Sequence, residues 1–394
     1  MVVHARYPIA EPRVQRQALA AVEAGYHVDV VCLRHSGESA REVVEGIVVH
    51  RLPVSHNRTA GAAGMAAEYL AFFVLATAKV ARLSVHDRYD VVHVSNPPDL
   101  LVFAGLLPRL RGAHLILDVH DLTPDLFEWR FGDVPGRRLV RRVLEWQERL
   151  SVRAAGSLMT VHDGCASVLQ ERSMRDGQRI AIVMNALDER LLPARSPERD
   201  TWHDPVRLVY HGSLTQLYGI HTLIDAFARA ELAGKAVLDV LGDGDERPRL
   251  ERQAAELGLA AAVRFSRGFV PIRDALEDVA DCDVGVVPLV GLPINRFSLP
   301  SKLFEYVALG LPVVCARTDT IARHFAEDEL FFFAPGDRED LARGLRDVLS
   351  DPAAAREQAR RAQARYEDYR WEGSKERFLE LIEAPRTRGT RGRG

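Results

Sequence analysis

Short apolar runs alternate with longer amphipathic segments along this chain, and the pattern occurs twice within 394 residues. In the first half the runs cover residues 2–4, 27–33, 91–95, 115–119, 157–161 and 180–183. In the second half they cover residues 208–210, 237–241, 263–265, 284–288, 313–316 and 330–333. Continuous apolar runs of this length, separated by helices, are typical of parallel sheets buried on both faces. The sequence therefore predicts an α/β fold with two doubly wound, Rossmann-like domains.

The polar, proline-containing segment 185–200 is typical of a domain boundary. We expect one domain over residues 1–185 and a second over 186–365, with the hinge near 185–204. Residues 366–385 are predicted to form a helix that returns to the first domain. The segment 386–394 consists mainly of arginine and glycine and is predicted to be a disordered basic tail. Because parallel sheets bind ligands at the carboxyl ends of their strands, we expect a central cleft between the domains.

The composition limits the class of protein further. With 47% hydrophobic residues, 27% charged residues and a formal net charge of −3, the chain is neither collagen-like nor globally basic. Nucleic acid is therefore not an expected partner. The four cysteines form no C-x-x-C pair, and the N-terminus lacks the pattern of a secretory signal. These features predict a cytoplasmic location.

Two segments bear on membrane contact. The apolar window 69–78 is shorter than the roughly 20 residues of a spanning helix, so no span is predicted. Arginines 137, 138, 141, 142, 149 and 153 fall in one predicted amphipathic helix that also carries Leu139, Val140, Val143, Leu144 and Trp146. One interpretation is a peripheral contact with the inner face of a membrane. The alternative is that both segments are core-facing helices with solvated charged faces.

The segment 299–315 is predicted to form a loop, a helix and a strand. Pro300 suits a first helical turn and Gly310 a helix end. Lys302 and Glu305 are three residues apart and share one face near the helix start, where the N-terminus attracts anions. A nucleotide diphosphate sugar would fit such a site, with the diphosphate near Lys302 and two sugar hydroxyls on Glu305. The alternative is an exposed lysine–glutamate pair without a ligand.

Glu305 and the sequence Gly-Leu-Pro-Val-Val at 310–314 resemble the second-domain signature of family 4 retaining glycosyltransferases, also called glycosyltransferase group 1, which have the GT-B fold. The resemblance extends along nearly the whole chain. Further segments that resemble the family are 6–16, 89–101, 117–121, 210–214, 241–244 and 280–289. The resemblance implies a metal-independent retaining glycosyltransferase of the kind found in polysaccharide biosynthesis. Such an enzyme needs no cofactor besides its nucleotide-sugar donor. The first domain would bind a glycan, lipid-linked or small-molecule acceptor, and the second the donor.

The resemblance also implies roles for individual residues. His120 would contact the donor sugar, Lys302 and Arg296 would neutralise the departing diphosphate, and Glu305 would hold the ribose. The nucleotide would be lined by Gly212, Ser213, Gly242, Gly244, Gly268, Phe269 and Ser301. Transfer would proceed by departure and attack on one face of the sugar, with the diphosphate taking the acceptor's proton.

Three positions depart from the family pattern. Phe297 stands where the family has its first motif glutamate. Ser213 and Tyr218 stand where the family has the arginine and lysine that hold the diphosphate. One alternative function is therefore a non-catalytic GT-B partner subunit. A second is a sugar-nucleotide epimerase, which also has two doubly wound domains. Arg247 at the third glycine position argues against a nicotinamide dehydrogenase. The D-x-D spacings at 243–245 and 281–283 are explained as turns, so no metal is predicted.

Overall fold

The computed structural model describes residues 1–9, 11–56, 61–132, 135–193, 201–268 and 270–390, with 384–390 described by their backbone alone. The chain forms two compact units. The first comprises Met1–Asn185 with Glu372–Gly394, and the second comprises Ala186–Trp371. The division after Asn185 lies at the start of the polar segment from which the domain boundary was predicted.

The first unit contains seven strands: β1 Asp29–Leu33, β2 Arg41–Val44, β3 Ile47–Leu52, β4 Val91–Ser95, β5 His114–Val119, β6 Ser157–Thr160 and β7 Ile180–Ile182. Its helices are α1 Pro12–Glu23, α2 Ala62–His86, α3 Leu106–Leu110, α4 Thr123–Phe131, α5 Arg137–Ala154 and α6 Asp163–Arg172. A 3-10 helix, Asp99–Gly105, leads directly into α3. Strands β4 to β7 pair in parallel in sequence order.

The N-terminal edge of this unit differs from the prediction. The run 2–4 forms only a bridge at Val2, which pairs with Val31 of β1 and Val94 of β4 and so joins the two groups of strands. Strands β2 and β3 form an antiparallel hairpin that the sequence analysis did not predict. Its turn places Glu45 and Gly46 at φ values of 52° and 82°, in the left-handed region that favours glycine.

The second unit contains one six-stranded parallel sheet in the order β10-β9-β8-β11-β12-β13. Its strands are β8 Val206–His211, β9 Ala236–Leu241, β10 Val263–Phe265, β11 Val284–Val287, β12 Val313–Ala316 and β13 Phe331–Phe333. Its helices are α7 Ile220–Arg229, α8 Arg247–Glu256, α9 Ile272–Ala280, α10 Ser301–Ala308, α11 Ile321–His324, α12 Arg338–Ser350 and α13 Pro352–Tyr366. All six predicted runs coincide with these strands to within two residues. The α/β class with doubly wound sheets is confirmed.

The last helix, α14, spans Trp371–Thr390 and belongs to the first unit from Glu372 onward. The Lys375 ammonium pairs with Glu23 of α1 at 3.0 Å. Phe378 is fully buried and packs edge-on against His93 of β4. The backbone is helical through residue 390, which differs from the disorder predicted for 386–394, and residues 391–394 lie outside the described part of the chain.

A second difference concerns helix α2. The apolar window 69–78 is part of a 25-residue helix. By length and composition alone this helix could cross a membrane, with a mean hydropathy of 1.4 in its most apolar window. The expectation that the segment is too short was therefore wrong. One row of α2, including Phe72, Ala76 and Val80, is buried within the first unit.

A buried ion pair anchors α1 to the sheet of the first unit. The Arg13 guanidinium donates to both carboxylate oxygens of Asp118 at 2.8 and 2.9 Å, and to the carbonyl oxygen of Val183 at 2.7 Å. Burial alone would raise the pKa of Asp118, but Arg13 and His93 hold it well below its usual range. Asp118 is therefore a structural carboxylate whose negative charge is paired with Arg13 inside the first unit.

We predict that Arg13→Met destabilises the first unit by about 3–5 kcal/mol, because it leaves the Asp118 charge buried without its partner. The free energy of unfolding in denaturant would measure this. Arg41→Met, on the exposed surface of β2, is the matched control and should change stability little. Equal effects of the two substitutions would show that the ion pair does not anchor α1.

Candidate active site

The candidate site lies at the carboxyl end of β8, where α10 begins. Lys302 and Glu305 on the first turns of α10 are buried, with 7% and 5% of their surface exposed. The alternative that this pair is exposed is therefore wrong. Helix α10 begins after Pro300, whose extended backbone ends the preceding loop. The helix start and the strand end together place the Lys302 side chain against Gly212.

The Lys302 ammonium lies among aromatic side chains. Its Nζ is 4.7 Å from the ring centre of Tyr210 and 4.1 Å from that of Tyr218. It also donates to the Tyr210 hydroxyl at 3.4 Å. Ring faces attract cations, so the two tyrosines hold the ammonium where it is poorly hydrated. Burial lowers the pKa of Lys302 to about 8, against the opposing effect of Glu305.

Glu305 is held by His211, the last residue of β8. The imidazole Nε2 contacts a carboxylate oxygen of Glu305, while Nδ1 lies 3.0 Å from the Tyr306 hydroxyl. The Tyr306 oxygen also accepts the backbone N–H of His211 at 3.0 Å. These contacts fit the tautomer in which Tyr306 donates to Nδ1 and Nε2–H donates to Glu305. Burial opposes ionisation of Glu305, but His211 and then Lys302 lower the pKa of this carboxyl.

Glycines bring the loops after β8 and β9 into direct backbone contact. The backbone N–H of Gly212 donates to the carbonyl oxygen of Leu241 at 2.8 Å. The N–H of Leu214 donates to the carbonyl oxygen of Asp243 at 3.0 Å. A Cβ on Gly242 would overlap the carbonyl oxygen of Gly212, and a Cβ on Gly244 would overlap that of Leu214. The close approach that Gly242 and Gly244 permit is thus between two loops of this chain.

Gly212 is different, because its neighbour is the Lys302 side chain rather than the β9 loop. Its φ of 121° lies in the region that favours glycine, and a Cβ there would be 3.2 Å from the Lys302 Nζ. The missing side chain lets the Lys302 side chain lie directly against this backbone. Ser213 is exposed, and its carbonyl accepts from the Tyr210 hydroxyl at 2.8 Å.

The remaining predicted nucleotide residues are spread over neighbouring loops. Ser301 is the first residue of α10 and helps to lower the pKa of Glu305 by a hydrogen bond. Gly268 accepts from the Ser266 hydroxyl at 2.9 Å, and Ser266 also accepts from the Gly242 N–H. Arg247 donates to the carbonyls of Gly242 and Ser266, so it ties these loops together. Phe269 lies outside the described residues.

Arg296, predicted to neutralise the departing diphosphate together with Lys302, is engaged elsewhere. Its side chain is two-thirds exposed, donates to Asp319 at 3.3 Å and stacks over Phe297. The structure therefore brings together Lys302, Glu305, Ser301 and Gly212, whereas it pairs Arg296 with an aspartate.

His120 lies in the first unit, in the loop after β5. Its backbone N–H donates to the Asn96 side-chain oxygen at 3.0 Å, and the Asp121 N–H donates to the same oxygen at 3.3 Å. The Asn96 amide donates in turn to Asp99 at 2.7 Å. Burial raises the pKa of Asp99 to about 7, with a further contribution from Glu148. A buried amide and a carboxyl thus position the His120 loop.

The D-x-D segments have partners within the protein. Asp283 accepts from the Arg207 N–H at 2.8 Å and contacts His203 at 3.0 Å, while Asp281 pairs with the Arg207 guanidinium at 2.5 Å. Across the described parts of the chain, no three His, Cys, Asp or Glu side chains are grouped so that they could hold a metal ion.

Two family profiles match consecutive parts of the chain. The profile described as "Glycosyl transferase 4-like domain" matches residues 10–186, and "Glycosyl transferases group 1" matches residues 196–366. Together they cover both units. The chain belongs to the group 1 glycosyltransferases. The resemblance drawn from the sequence is confirmed.

Solved structures share the fold of this glycosyltransferase. Sucrose-phosphate synthase from Thermosynechococcus elongatus has a TM-score of 0.78 at 18% identity, covering 97% of this chain and 98% of that one. Anabaena Alr3699/HepE in complex with UDP-glucose has a TM-score of 0.71 at 17% identity, covering 97% and 99%. These likenesses confirm the GT-B fold.

Curated relatives match this chain over different fractions of their length. Glycogen synthase of Mycobacterium tuberculosis is 28% identical over 60% of this chain and 55% of the relative, so the match spans about half of that protein. LpsE of Rhizobium meliloti, a lipopolysaccharide core biosynthesis glycosyltransferase, is 33% identical over 39% of this chain and 42% of its own length. The 2-deoxystreptamine glucosyltransferase of Streptomyces kanamyceticus is 24% identical over 86% and 89%.

The sequence analysis missed four side chains of the site: Tyr210, His211, Tyr218 and Tyr306. Tyr210 and His211 stand in the segment 210–214 that carried part of the resemblance, but no role was assigned to them. For Tyr218 the sequence analysis noted only that it replaces a lysine of the family pattern. Tyr306 directly follows Glu305, and a tyrosine beside a buried carboxylate was the one available signal.

We predict that the Lys302 side chain titrates near pH 8, because burial disfavours its charged form. The chain contains four lysines (79, 235, 302 and 375), so NMR of ¹³Cε-labelled lysine resolves few signals. Lys302→Met assigns the signal by removing it. In Tyr218→Leu, which lacks one ring face, the midpoint should fall further. A Lys302 midpoint at the ordinary value of about 10.4 would contradict the burial of this ammonium.

Proposed function

We propose that this protein is a glycosyltransferase that moves a sugar from a nucleotide-diphosphate donor to an acceptor hydroxyl. The observation that carries the proposal is the buried Lys302 ammonium against the backbone of Gly212 at the carboxyl end of β8, with Glu305 one turn further along α10. A cation and a carboxylate in this order match the two polar ends of such a donor, its diphosphate and its ribose.

Lys302 would act on the diphosphate. As the bond between the anomeric carbon and the phosphate oxygen breaks, the electron pair and the negative charge pass to the departing diphosphate. A fixed cation in a poorly hydrated site stabilises that developing charge more than it stabilises the ground state. Lys302 thus takes over the role of the family's cations at the positions of Ser213 and Tyr218. Tyr218 contributes by holding the ammonium in place.

Glu305 would hold the ribose. A carboxylate kept ionised accepts hydrogen bonds from two neighbouring hydroxyl groups, and bonds to a charged group are stronger than neutral ones. His211 contacts Glu305 from the β8 side and fixes its direction. We infer that His211 is a positioning residue for nucleotide binding.

The course of transfer is proposed from the family resemblance. The acceptor oxygen would attack the face from which the diphosphate departs, with retention of configuration, and its proton would pass to the diphosphate. His120 would contact the donor sugar. No metal or cofactor is included in the proposal, because Lys302 and the start of α10 supply positive charge.

The acceptor is proposed as a glycan, a lipid-linked saccharide or a small molecule. Named relatives and structural neighbours support this range: a glycogen synthase, a lipopolysaccharide core glycosyltransferase and a 2-deoxystreptamine glucosyltransferase. A neighbour described with UDP-glucose and one with ADP and acarbose support a nucleotide-sugar donor. Four buried free cysteines are compatible with action in the reducing cytoplasm, which we also propose.

We predict that one member of a nucleotide-sugar panel stabilises the protein against heat and is slowly hydrolysed to its nucleoside diphosphate. A ligand at 100 times its Kd stabilises the fold by about 2.7 kcal/mol, which a thermal-shift assay detects. Lys302→Met should lower turnover roughly 100-fold, the scale of losing one electrostatic donor, and should affect donor affinity less.

The pH profile separates the charge of Lys302 from its bulk. Wild-type turnover should decline above about pH 8 as the ammonium loses its proton, and the Lys302→Met profile should lack that decline. If no nucleotide sugar binds, the non-catalytic partner subunit becomes the better hypothesis. If Lys302→Met loses affinity and turnover equally, the lysine binds donor and transition state alike.

We predict that Glu305→Ala weakens binding of the nucleoside diphosphate by roughly ten- to a hundredfold, because about 1.5–3 kcal/mol of hydrogen bonding to a charged group is lost. Calorimetry with inorganic pyrophosphate is the internal control, since pyrophosphate has no ribose and should bind both proteins alike. His211→Asn should show a smaller loss of the same kind. Unchanged nucleotide affinity in Glu305→Ala would exclude the ribose contact.

A further inference from the structure

Helix α5 presents an apolar stripe to solvent. Leu139, Val143, Trp146 and Leu150 follow the spacing of one helix face, and all four are exposed, Leu139 by 67% and Trp146 by 60%. The buried residues of this helix are Glu148, Ser151 and Val152. The alternative of a core-facing apolar side is therefore wrong for α5.

Two neighbouring elements add to this surface. Helix α2 exposes Leu70, Val74 and Leu75, and only 22% of its most apolar window is buried. Helix α3 exposes Leu106, Leu107 and Leu110, the last by 84%. Exposed apolar side chains on three helices of one unit are unusual for a surface that meets only water.

The three helices adjoin through the 3-10 helix Asp99–Gly105. This short helix contacts both α2 and α5, and it leads into α3, which also contacts α2. The exposed apolar side chains therefore lie on adjoining elements of one unit. We call the set Leu70, Val74, Leu75, Leu106, Leu107, Leu110, Leu139, Val143, Trp146 and Leu150 the apolar face.

Positive charge accompanies the apolar face. Helix α5 carries six arginines and two glutamates. Both glutamates are engaged within the unit, Glu145 by Arg141 at 2.8 Å and Glu148 by Arg172. Arg137 and Arg153 donate to backbone carbonyls, a contact that leaves their charge in place. Arg141 is paired with Asp125, Glu128 and Glu145, so the positive charge around the stripe comes from the other five arginines of α5.

We propose that the apolar face docks on a membrane surface containing anionic lipids. Apolar side chains, a tryptophan and a cationic helix are the features that place a helix in the plane of the lipid headgroups. Charge decides against a second copy as the occupant, since a symmetric contact would bring two arginine-rich helices together. This proposal goes beyond the transfer reaction and does not depend on it.

The test is co-sedimentation of the full chain with vesicles of phosphatidylcholine alone or mixed with phosphatidylglycerol. We expect binding to the mixed vesicles at low salt, and a loss of at least about tenfold in affinity at high salt, where charges are screened. Vesicles of phosphatidylcholine alone should bind little. Release from the vesicles by alkaline carbonate should show a docked protein rather than an inserted one.

Paired variants assign the binding to the apolar face. Arg138→Gln with Arg142→Gln removes charge, and Trp146→Ser removes an apolar anchor, and each should lower vesicle affinity about tenfold or more. The matched controls are Arg252→Gln with Arg323→Gln and, separately, Leu257→Ser, all exposed positions of the second unit. The controls should bind as the wild type does. Thermal unfolding of each variant confirms that it is folded.

Several outcomes would overturn the proposal. They are absence of wild-type binding to anionic vesicles, equal losses in the control variants, and resistance to alkaline carbonate. A wild-type dimer in sedimentation velocity that Trp146→Ser dissociates would instead assign the face to a second copy. Nucleotide-sugar binding is measured apart from vesicles, so a protein that binds donor but ignores lipid fails this proposal alone.

Discussion

A buried ammonium group between two tyrosine rings is the interaction on which the candidate site depends. Burying a charge costs free energy, and here the ring faces of Tyr210 and Tyr218 offset part of that cost. Glu305, the nearby carboxylate on the same helix, is engaged by His211 instead. The Lys302 ammonium itself lies against Gly212, at the carboxyl end of β8. In the proposed reaction, an anion bound beside Lys302 would raise the pKa that burial lowers.

Sequence reasoning predicted the strands well because buried parallel strands are continuous apolar runs, and it located Lys302 and Glu305 because a helix start is a local signal. It could not predict the tyrosine rings around the lysine. Tyr210 and Lys302 are 92 residues apart in the chain, and only the pairing of β8 with β11 brings their neighbourhoods together. The absence of the usual phosphate-binding cations at Ser213 and Tyr218 thus looked like a defect, whereas Tyr218 supports the cation that remains.

The hairpin of β2 and β3 and the direction of α5 were beyond the sequence for other reasons. Strand β2 alternates exposed and half-buried residues over only four positions, so its apolar signal is weak. For α5, periodicity reveals an apolar stripe but not whether the stripe faces the core. The orientation of α5 is set by the opposite side of the helix, where the buried Glu148 accepts hydrogen bonds from Arg172 and Ser173.

The interlocked glycine loops constrain how this site can be altered. At Gly242 and Gly244 there is no room for a side chain, because the backbone of Gly212 and Leu214 lies too close. The loops after β8 and β9 are therefore packed directly against each other. In a chimera that takes only the loop after β8 from a relative, that loop would pack against a β9 loop from a different protein. Exchanging donor preference between relatives therefore requires that both loops be transplanted together. Arg247 should be transplanted with them, because it donates to the carbonyls of Gly242 and Ser266.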